Sequence, residues 1–264
     1  MSSSIRLIST DFDGTLICHP SDGTCGKDLA KVLQTFKSRG GIWAVNTGRS
    51  LAHAVEGLAT FCAPVEPDFV LTLERDIHLP DGSGGWVPLE PWNTICRDRH
   101  AELFDSASGI FDRILEGVAD SPDVTVIREE GCPVGLITTD EAAMDTVVGG
   151  LSALQRAHPE FSYQRNTIYL RFCHVEYHKG AALNELARHL GLETSEVFAV
   201  GDHFNDLSMM SESCAGSVAC PANSIEEMKS IIRDRGGYVA RRDGGEGTAD
   251  ALKERVLSSS CEGL

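Results

Sequence analysis

Two groups of carboxylates sit where chemistry would need them. Asp11 and Asp13 stand two residues apart directly after the apolar run 5–10, and Asp202 and Asp206, with Asn205 between them, follow the apolar run 197–200. A hydroxyl, Thr47, follows a third apolar run, 42–46. Carboxylates that converge form an oxygen-ligand set for a hard divalent cation, and Mg2+ in particular takes one or two carboxylates together with substrate phosphate. Without a cation such groups repel and raise one another's pKa values. A carboxylate can also act as a nucleophile and form an acyl phosphate. Asp11 stands where strand becomes turn and suits that part. Asp13 is placed to reach a leaving-group oxygen as a general acid, and Gly14 permits the sharp turn that follows.

The elements that must position these groups are readable from periodicity. Leu29, Val32, Leu33 and Phe36 recur at helical spacing over residues 28–39, with Gly40-Gly41 as a stop. A strand at 42–46, a helix at 50–61 and a strand at 69–73 complete a β-α-β-α-β alternation, which means a parallel sheet with right-handed crossovers. In an open parallel sheet, ligands bind beyond the carboxyl ends of the strands, where the three polar groups fall. The pattern then changes. A Gly-rich stretch at 81–86 with Pro88 and Pro91 reads as the way out of the first domain. A helix over 99–118, strands at 124–128 and 134–138, a helix over 141–155 and a hairpin of 161–165 with 168–172 make a small α+β unit. After Lys179 the first rhythm returns, with helices at 180–190 and 223–233, strands at 197–200 and 217–220, and a short last strand at 238–240. Ser224 and Glu227 have capping-box spacing at the start of the later helix. The expected architecture is a doubly wound, Rossmann-like parallel sheet core, residues 1–80 and 174–264, with an α+β module inserted at 81–173.

The chain of 264 residues carries 23 Lys plus Arg against 39 Asp plus Glu, a formal charge of −16. This balance excludes nucleic acid and anionic membranes as expected partners, because both demand a basic surface. It leaves small anionic substrates open, provided positive charge is supplied locally. No stretch approaches the roughly 18 uncharged apolar residues of a membrane span, and the N-terminus has no signal architecture. Nine scattered cysteines (18, 25, 62, 96, 132, 173, 214, 220 and 261) without a CxxC pattern read as free thiols, which points to the cytoplasm.

Four segments carry a family resemblance. Asp11-Phe-Asp-Gly-Thr-Leu16, Asn46-Thr47-Gly48-Arg49, Lys179-Gly180-Ala-Ala-Leu183 and Gly201-Asp202-His-Phe-Asn205-Asp206-Leu-Ser-Met209 resemble, in order, the motifs of the haloacid dehalogenase superfamily. The resemblance implies that Asp11 is the phosphorylated nucleophile and Asp13 the general acid and then base. It implies that Thr47 hydrogen-bonds the transferring phosphoryl group and that Lys179 neutralises charge on Asp11 and the phosphate. Mg2+ would be held by Asp11, the backbone carbonyl of Asp13 and Asp202, with Asp206 in support. Phosphoryl transfer is mostly positioning plus charge stabilisation, so a cation and an ammonium are the parts required. Asp13 distinguishes the motif from the dehalogenase branch. The insertion between Thr47 and Lys179 is similar to a type IIB cap, as in Cof-type and sucrose-phosphatase-like members, and Val218-Ala-Cys-Pro-Ala-Asn223 is similar to a stretch of that group. Where Cof-type members often carry Asn-Gly-Ala after the third strand, this chain has Glu74-Arg75-Asp76.

The resemblance thus implies a Mg2+-dependent phosphomonoesterase with a small phosphorylated substrate, a sugar phosphate being the expected class. A phosphotransferase or mutase using the same phosphoenzyme and a non-catalytic sugar-phosphate-binding regulator remain as alternatives. Asn205 is a candidate phosphate or substrate contact, as are Gly48 and Arg49. His19 and His203, beside the motifs, read as solvated loop residues. The insert has seven arginines, no lysine and 14 acids over residues 82–172. Arginine favours bidentate recognition of anions, which makes Arg128, Arg165 and Arg171, on or beside the insert's strands, candidate substrate contacts.

Overall fold

The computed structural model describes residues 4–17, 26–61, 65–129 and 132–258. Cys18, His19, Cys25, Cys62 and Cys261 lie outside the described residues. The chain divides into two compact units, Met1–Trp92 with Lys179–Leu264, and Asn93–His178.

The larger unit is an eight-stranded sheet. Its strands are β1 (Leu7–Thr10), β2 (Ile42–Asn46), β3 (Phe69–Thr72), β4 (Asp76–Pro80), β5 (Trp86–Pro88), β10 (Val197–Val200), β11 (Ser217–Cys220) and β12 (Tyr238–Val239), in the order β12-β11-β10-β1-β2-β3-β4-β5. From β12 to β3 every pairing is parallel. The central strands are mostly apolar and buried because both faces are covered. Ile8, Trp43, Val45, Val70, Phe198 and Val200 bury into one layer, with helices α1 (Lys27–Ser38), α2 (Leu51–Phe61) and α8 (Gly244–Leu252). Their neighbours Leu7, Ala44, Leu71, Val197 and Ala199 bury into the opposite layer, with α6 (Lys179–His189) and α7 (Glu226–Asp234). The period of two along each strand therefore serves two cores at once.

This unit extends further than its sequence suggests. Strands β4 and β5 pair antiparallel onto β3 and close the sheet on that side. The Gly-rich stretch is thus the loop of a hairpin, in which Asp81 accepts the N–H groups of Ser83 and Gly85, and the exit lies at Trp92 rather than near residue 81. Trp92 donates its Nε1–H to the Arg75 carbonyl. Helix α8 was hidden in the sequence by Gly244, Gly245 and Gly247. The capping box expected at Ser224 does not form; its hydroxyl donates to the Pro221 carbonyl, and Ile225 precedes the first helical turn.

The smaller unit is a four-stranded antiparallel sheet, ordered β6-β7-β9-β8, from β6 (Val124–Glu129), β7 (Cys132–Thr138), β8 (Phe161–Asn166) and β9 (Tyr169–His174). Its helices are α3 (Trp92–Ser106), α4 (Ser108–Val118) and α5 (Glu141–Ala157). The single helix expected at 99–118 is two. The Ser106 hydroxyl turns back onto the Leu103 carbonyl, a bond that competes with the helical ladder, and the chain breaks at Ala107. At the far end Val175 donates its N–H to the Glu160 carbonyl, which keeps residues 174–178 with this unit.

Candidate active site

Parallel pairing lines up the strand ends that carry the acids. Register pairs Thr10 with Val200 and with Val45, and the Asp11 N–H donates to the Val200 carbonyl, so the loops after β1, β10 and β2 leave the sheet side by side. Gly14 makes the first loop possible in two ways. Its φ of +84° is disfavoured for other residues, and a Cβ there would overlap the Asp202 carboxylate. With that space free, Asp202 accepts the Thr15 hydroxyl at 3.0 Å.

Lys179, the first residue of α6, is fully buried. Its ammonium donates to Asp11 Oδ1 at 2.5 Å and to Asp206 Oδ1 at 2.7 Å, and lies 3.9 Å from Glu74 Oε2. The helix start is fixed by Asn46 at the end of β2, whose Nδ2 donates to the Lys179 carbonyl. Asp206 sits in the 3-10 turn Phe204–Met210; its second oxygen accepts the N–H groups of Asp202 and His203. Both oxygens of Asp206 are therefore engaged, and its part is to hold the ammonium and the loop. His203 is buried here, not solvated as expected.

The electrostatics follow from the imbalance of charge. Burial alone would lower the Lys179 pKa, but Asp11, Asp206 and Glu74 overturn it and hold the ammonium well above its usual range. Burial, then Asp206, pushes the Asp11 carboxyl well up, against the pull of Lys179. Burial and Asp206 likewise push Asp202 up to about 7, with the Thr15 hydrogen bond opposing. Asp11, Asp202 and Asp206 each offer an oxygen within 4.8 Å of the others. Asp11 Oδ2 is buried without a hydrogen-bond partner among the described residues. An all-oxygen set with surplus negative charge and an open acceptor fits a hard divalent cation.

The remaining residues expected at the site divide. The Asp13 carboxylate is not in the acid cluster. It forms a bidentate pair with Arg49, Nε–H to Oδ2 at 2.7 Å and Nη2–H to Oδ1 at 2.5 Å, while the guanidinium lies 4.4 Å over the Phe12 ring. Arg49 is thereby committed to Asp13. Thr47 is buried and its hydroxyl accepts the Arg49 N–H. Gly48 leaves room for Glu74, whose carboxylate a Cβ at that position would strike. Asn205 is buried and its Nδ2–H donates to Glu74 Oε1 at 3.1 Å. Arg128, Arg165 and Arg171 belong to the smaller unit, on β6, β8 and β9. Arg165 is paired with Asp145 of α5 at 2.5 Å.

Three residues of the site were not singled out by type. Glu74 joins Lys179 and Asn205. Thr15 orients Asp202, and its carbonyl accepts the Thr248 hydroxyl. Asn223 clamps the first loop, donating to the Gly14 carbonyl and accepting the Gly244 N–H. Glu74 follows the end of β3, so the strand-end rule that selects Asp11 and Asp202 would have found it.

Known proteins resemble this chain in sequence and in fold. A family model described as haloacid dehalogenase-like hydrolase matches residues 130–238. The Bacillus subtilis (strain 168) protein named "Putative phosphatase YxeH" is 34% identical, over 96% of this chain and 99% of its own length. Among solved structures, the sucrose-phosphatase of Synechocystis sp. PCC6803, in complex with sucrose and phosphate, superposes with a TM-score of 0.68 at 19% identity, over 98% of this chain and 99% of that one. A haloacid dehalogenase-like hydrolase from B. subtilis superposes with a TM-score of 0.64 at 18% identity, over 94% and 99%. With acids at the strand ends, a lysine opening the returning helix and a relative matched along its whole length, the chain belongs to the haloacid dehalogenase-like hydrolase family, with its Cof-type members.

Proposed function

We propose that this chain, a phosphatase of the haloacid dehalogenase superfamily, is a Mg2+-dependent phosphomonoesterase that works through an aspartyl-phosphate on Asp11. The observation that carries the reading is the state of that side chain. One oxygen of Asp11 is held by the Lys179 ammonium, and the other is buried without a partner among the described residues, available to form a bond. Asp11 and Asp202, with the backbone carbonyl of Asp13, are the residues that would hold Mg2+. Bound there, the ion would offset the excess of carboxylates and the charge of the phosphoryl group.

The chain's own residues supply the rest. Asp11 attacks phosphorus, the ester P–O bond breaks, and Asp13, once protonated and released from its pair with Arg49, passes that proton to the departing alkoxide. Water then attacks the phosphoaspartate, Asp13 takes its proton, and orthophosphate leaves with Asp11 restored. Lys179 holds Asp11 in line and balances charge, Thr47 donates to the transferring phosphoryl oxygens, and Asp206 holds Lys179. A sugar phosphate is the proposed substrate class, supported by the sucrose-phosphatase neighbour. A cytoplasmic setting is supported by Cys96, Cys173, Cys214 and Cys220, which are thiols rather than disulfides.

The test is a panel of phosphate esters assayed with Mg2+ and with chelator, following orthophosphate and phosphorylated acceptor separately. Mg2+-dependent orthophosphate release, lost in Asp11→Asn while the fold persists, is the expected result. Undiminished turnover by Asp11→Asn would remove the nucleophile assignment. Phosphate appearing on an acceptor would make the enzyme a transferase, and no turnover of any ester would leave a binding protein.

A further inference from the structure

Glu74 reaches the site from a loop that ordinary backbone preferences would not build. Leu73 and Glu74 both have positive φ, +51° and +68°, and neither is Gly or Asn. Adjacent left-handed residues of this kind persist only where their surroundings over-determine them, and such strain gathers at functional sites. Here the loop is tied to the loop after β2. The Leu73 N–H donates to the Arg49 carbonyl and the Glu74 N–H to the Thr47 carbonyl. Gly48 lies where the Glu74 carboxylate passes and has no Cβ to block it. The side chain so placed, 8% exposed, ends against Asn205 and near Lys179.

The consequence falls on Asn205. A carboxylate accepts and does not donate, so the end of the amide that meets Glu74 Oε1 must be the NH2 group. The other end, Oδ1, is buried and has no hydrogen-bond partner among the described residues. Resting on the phosphatase reading above, we propose that Glu74 is a positioning residue that fixes the Asn205 amide so that Asn205 serves the reaction as a hydrogen-bond acceptor. An acceptor addresses a proton donor or a cation; it gains nothing from an ionised phosphoryl oxygen. This departs from the expectation of Asn205 as a phosphate contact, which would require its N–H groups.

A double-mutant cycle separates the two roles. Asn205→Asp sets two carboxylates face to face at the 3.1 Å contact and should lower kcat on p-nitrophenyl phosphate by roughly tenfold to a hundredfold, the worth of a buried hydrogen bond to a charged group. Combining Glu74→Gln with Asn205→Asp lets the glutamine amide donate to the carboxylate introduced at position 205 while an oxygen remains presented. The kcat of this pair should recover at least about tenfold over the single variant. If Asn205 instead donates to phosphate, both variants lose activity equally, and that outcome overturns the proposal. A second readout is independent of turnover and of folding in the acid variants. In labelled wild-type protein the Asn205 side-chain NH2 protons should exchange slowly, and in Glu74→Ala they should exchange fast. Equal exchange in the two proteins would also overturn it. Failure of the phosphatase reading would look different: Asp11→Asn would keep its turnover whatever the cycle gave.

Discussion

Lys179 and Phe172 are both almost fully buried, 0% and 1% exposed, yet they hold their surroundings together by opposite means. Around Phe172 in the smaller unit, the rings of Phe111 and Phe161 lie with centroids at 5.4 and 5.7 Å, and Leu136, Met144, Leu151 and Leu170 fill the rest. Such a core is stabilised by burial of apolar surface, at about 1.5–3 kcal/mol for each large side chain. Around Lys179 in the larger unit stand Asp11, Asp206 and Glu74, with Asp202 beside them. Desolvating those charges costs more than one ammonium returns, and a well-packed apolar replacement of a buried ion cluster is often as stable or more so. The contrast teaches which region folding alone explains. The smaller unit is built to be stable, and the crevice of the larger unit holds surplus negative charge of the kind a bound cation would balance.

Breaking the contrast at its centre should have the largest effect. Lys179→Met leaves the buried carboxylates without their ammonium, and removing one partner of such a cluster costs about 3–5 kcal/mol. The variant is expected to lose turnover and to show a lower denaturant midpoint without a cation, with part of the loss restored by Mg2+. Next comes Phe172→Ala, which should cost about 3–5 kcal/mol from lost burial and the cavity left behind. Its stabilisation by Mg2+, read from denaturation with and without the ion, should match that of the wild type. A changed response would mean that the smaller unit is coupled to the charged crevice.

A pH series sharpens the same distinction. The folded Asp202 carboxyl titrates at about 7 instead of near 3.8, so the folded chain keeps a proton that the unfolded chain releases. That group therefore opposes folding increasingly as pH rises between these values, and fully above the upper one. Metal-free protein should lose stability across this window. Mg2+ displaces the same proton, so its stabilising effect should grow from about pH 5 to about pH 8 and then level off. Calorimetric titration of Mg2+ across that range reads it directly, and a pH-independent affinity would count against Asp202 as a ligand. The smallest effect is expected at Arg49. Its pair with Asp13 is bidentate but partly exposed, 25% and 42% for the two side chains. Arg49→Lys keeps the charge and loses the fork, so kcat should fall by roughly twofold to fivefold, in keeping with partly exposed ion pairs.

Much of the site was legible because a parallel sheet turns sequence order into spatial order. Once the runs before Asp11, Thr47 and Asp202 are strands, their carboxyl ends must lie in one row, and Lys179 opens the helix that leads back to it. Other features were hidden for physical reasons. The positive φ of Leu73 and Glu74 has no sequence signature when neither residue is Gly or Asn, so the loop that delivers Glu74 read as an ordinary strand end. Arg49 is committed to Asp13 by tertiary packing over Phe12, which local spacing does not encode. Gly244, Gly245 and Gly247 disguised α8, because helix propensity is a weak prior that burial against α1 overrides. The hairpin of β4 and β5 was disguised likewise, since its Gly-rich turn resembles a linker.

The central claim is that Asp11 becomes covalently phosphorylated, and it can be met chemically. Protein mixed with substrate and Mg2+, quenched in acid within milliseconds and reduced with borohydride, should carry homoserine at position 11, since an acyl phosphate is reducible and a free carboxylate is not. Peptide mass analysis locates the change. Homoserine at residue 11 in the wild type and at no position in Asp11→Asn is the predicted result. An active enzyme that shows no reducible carboxyl, or one at any other aspartate, would contradict the account.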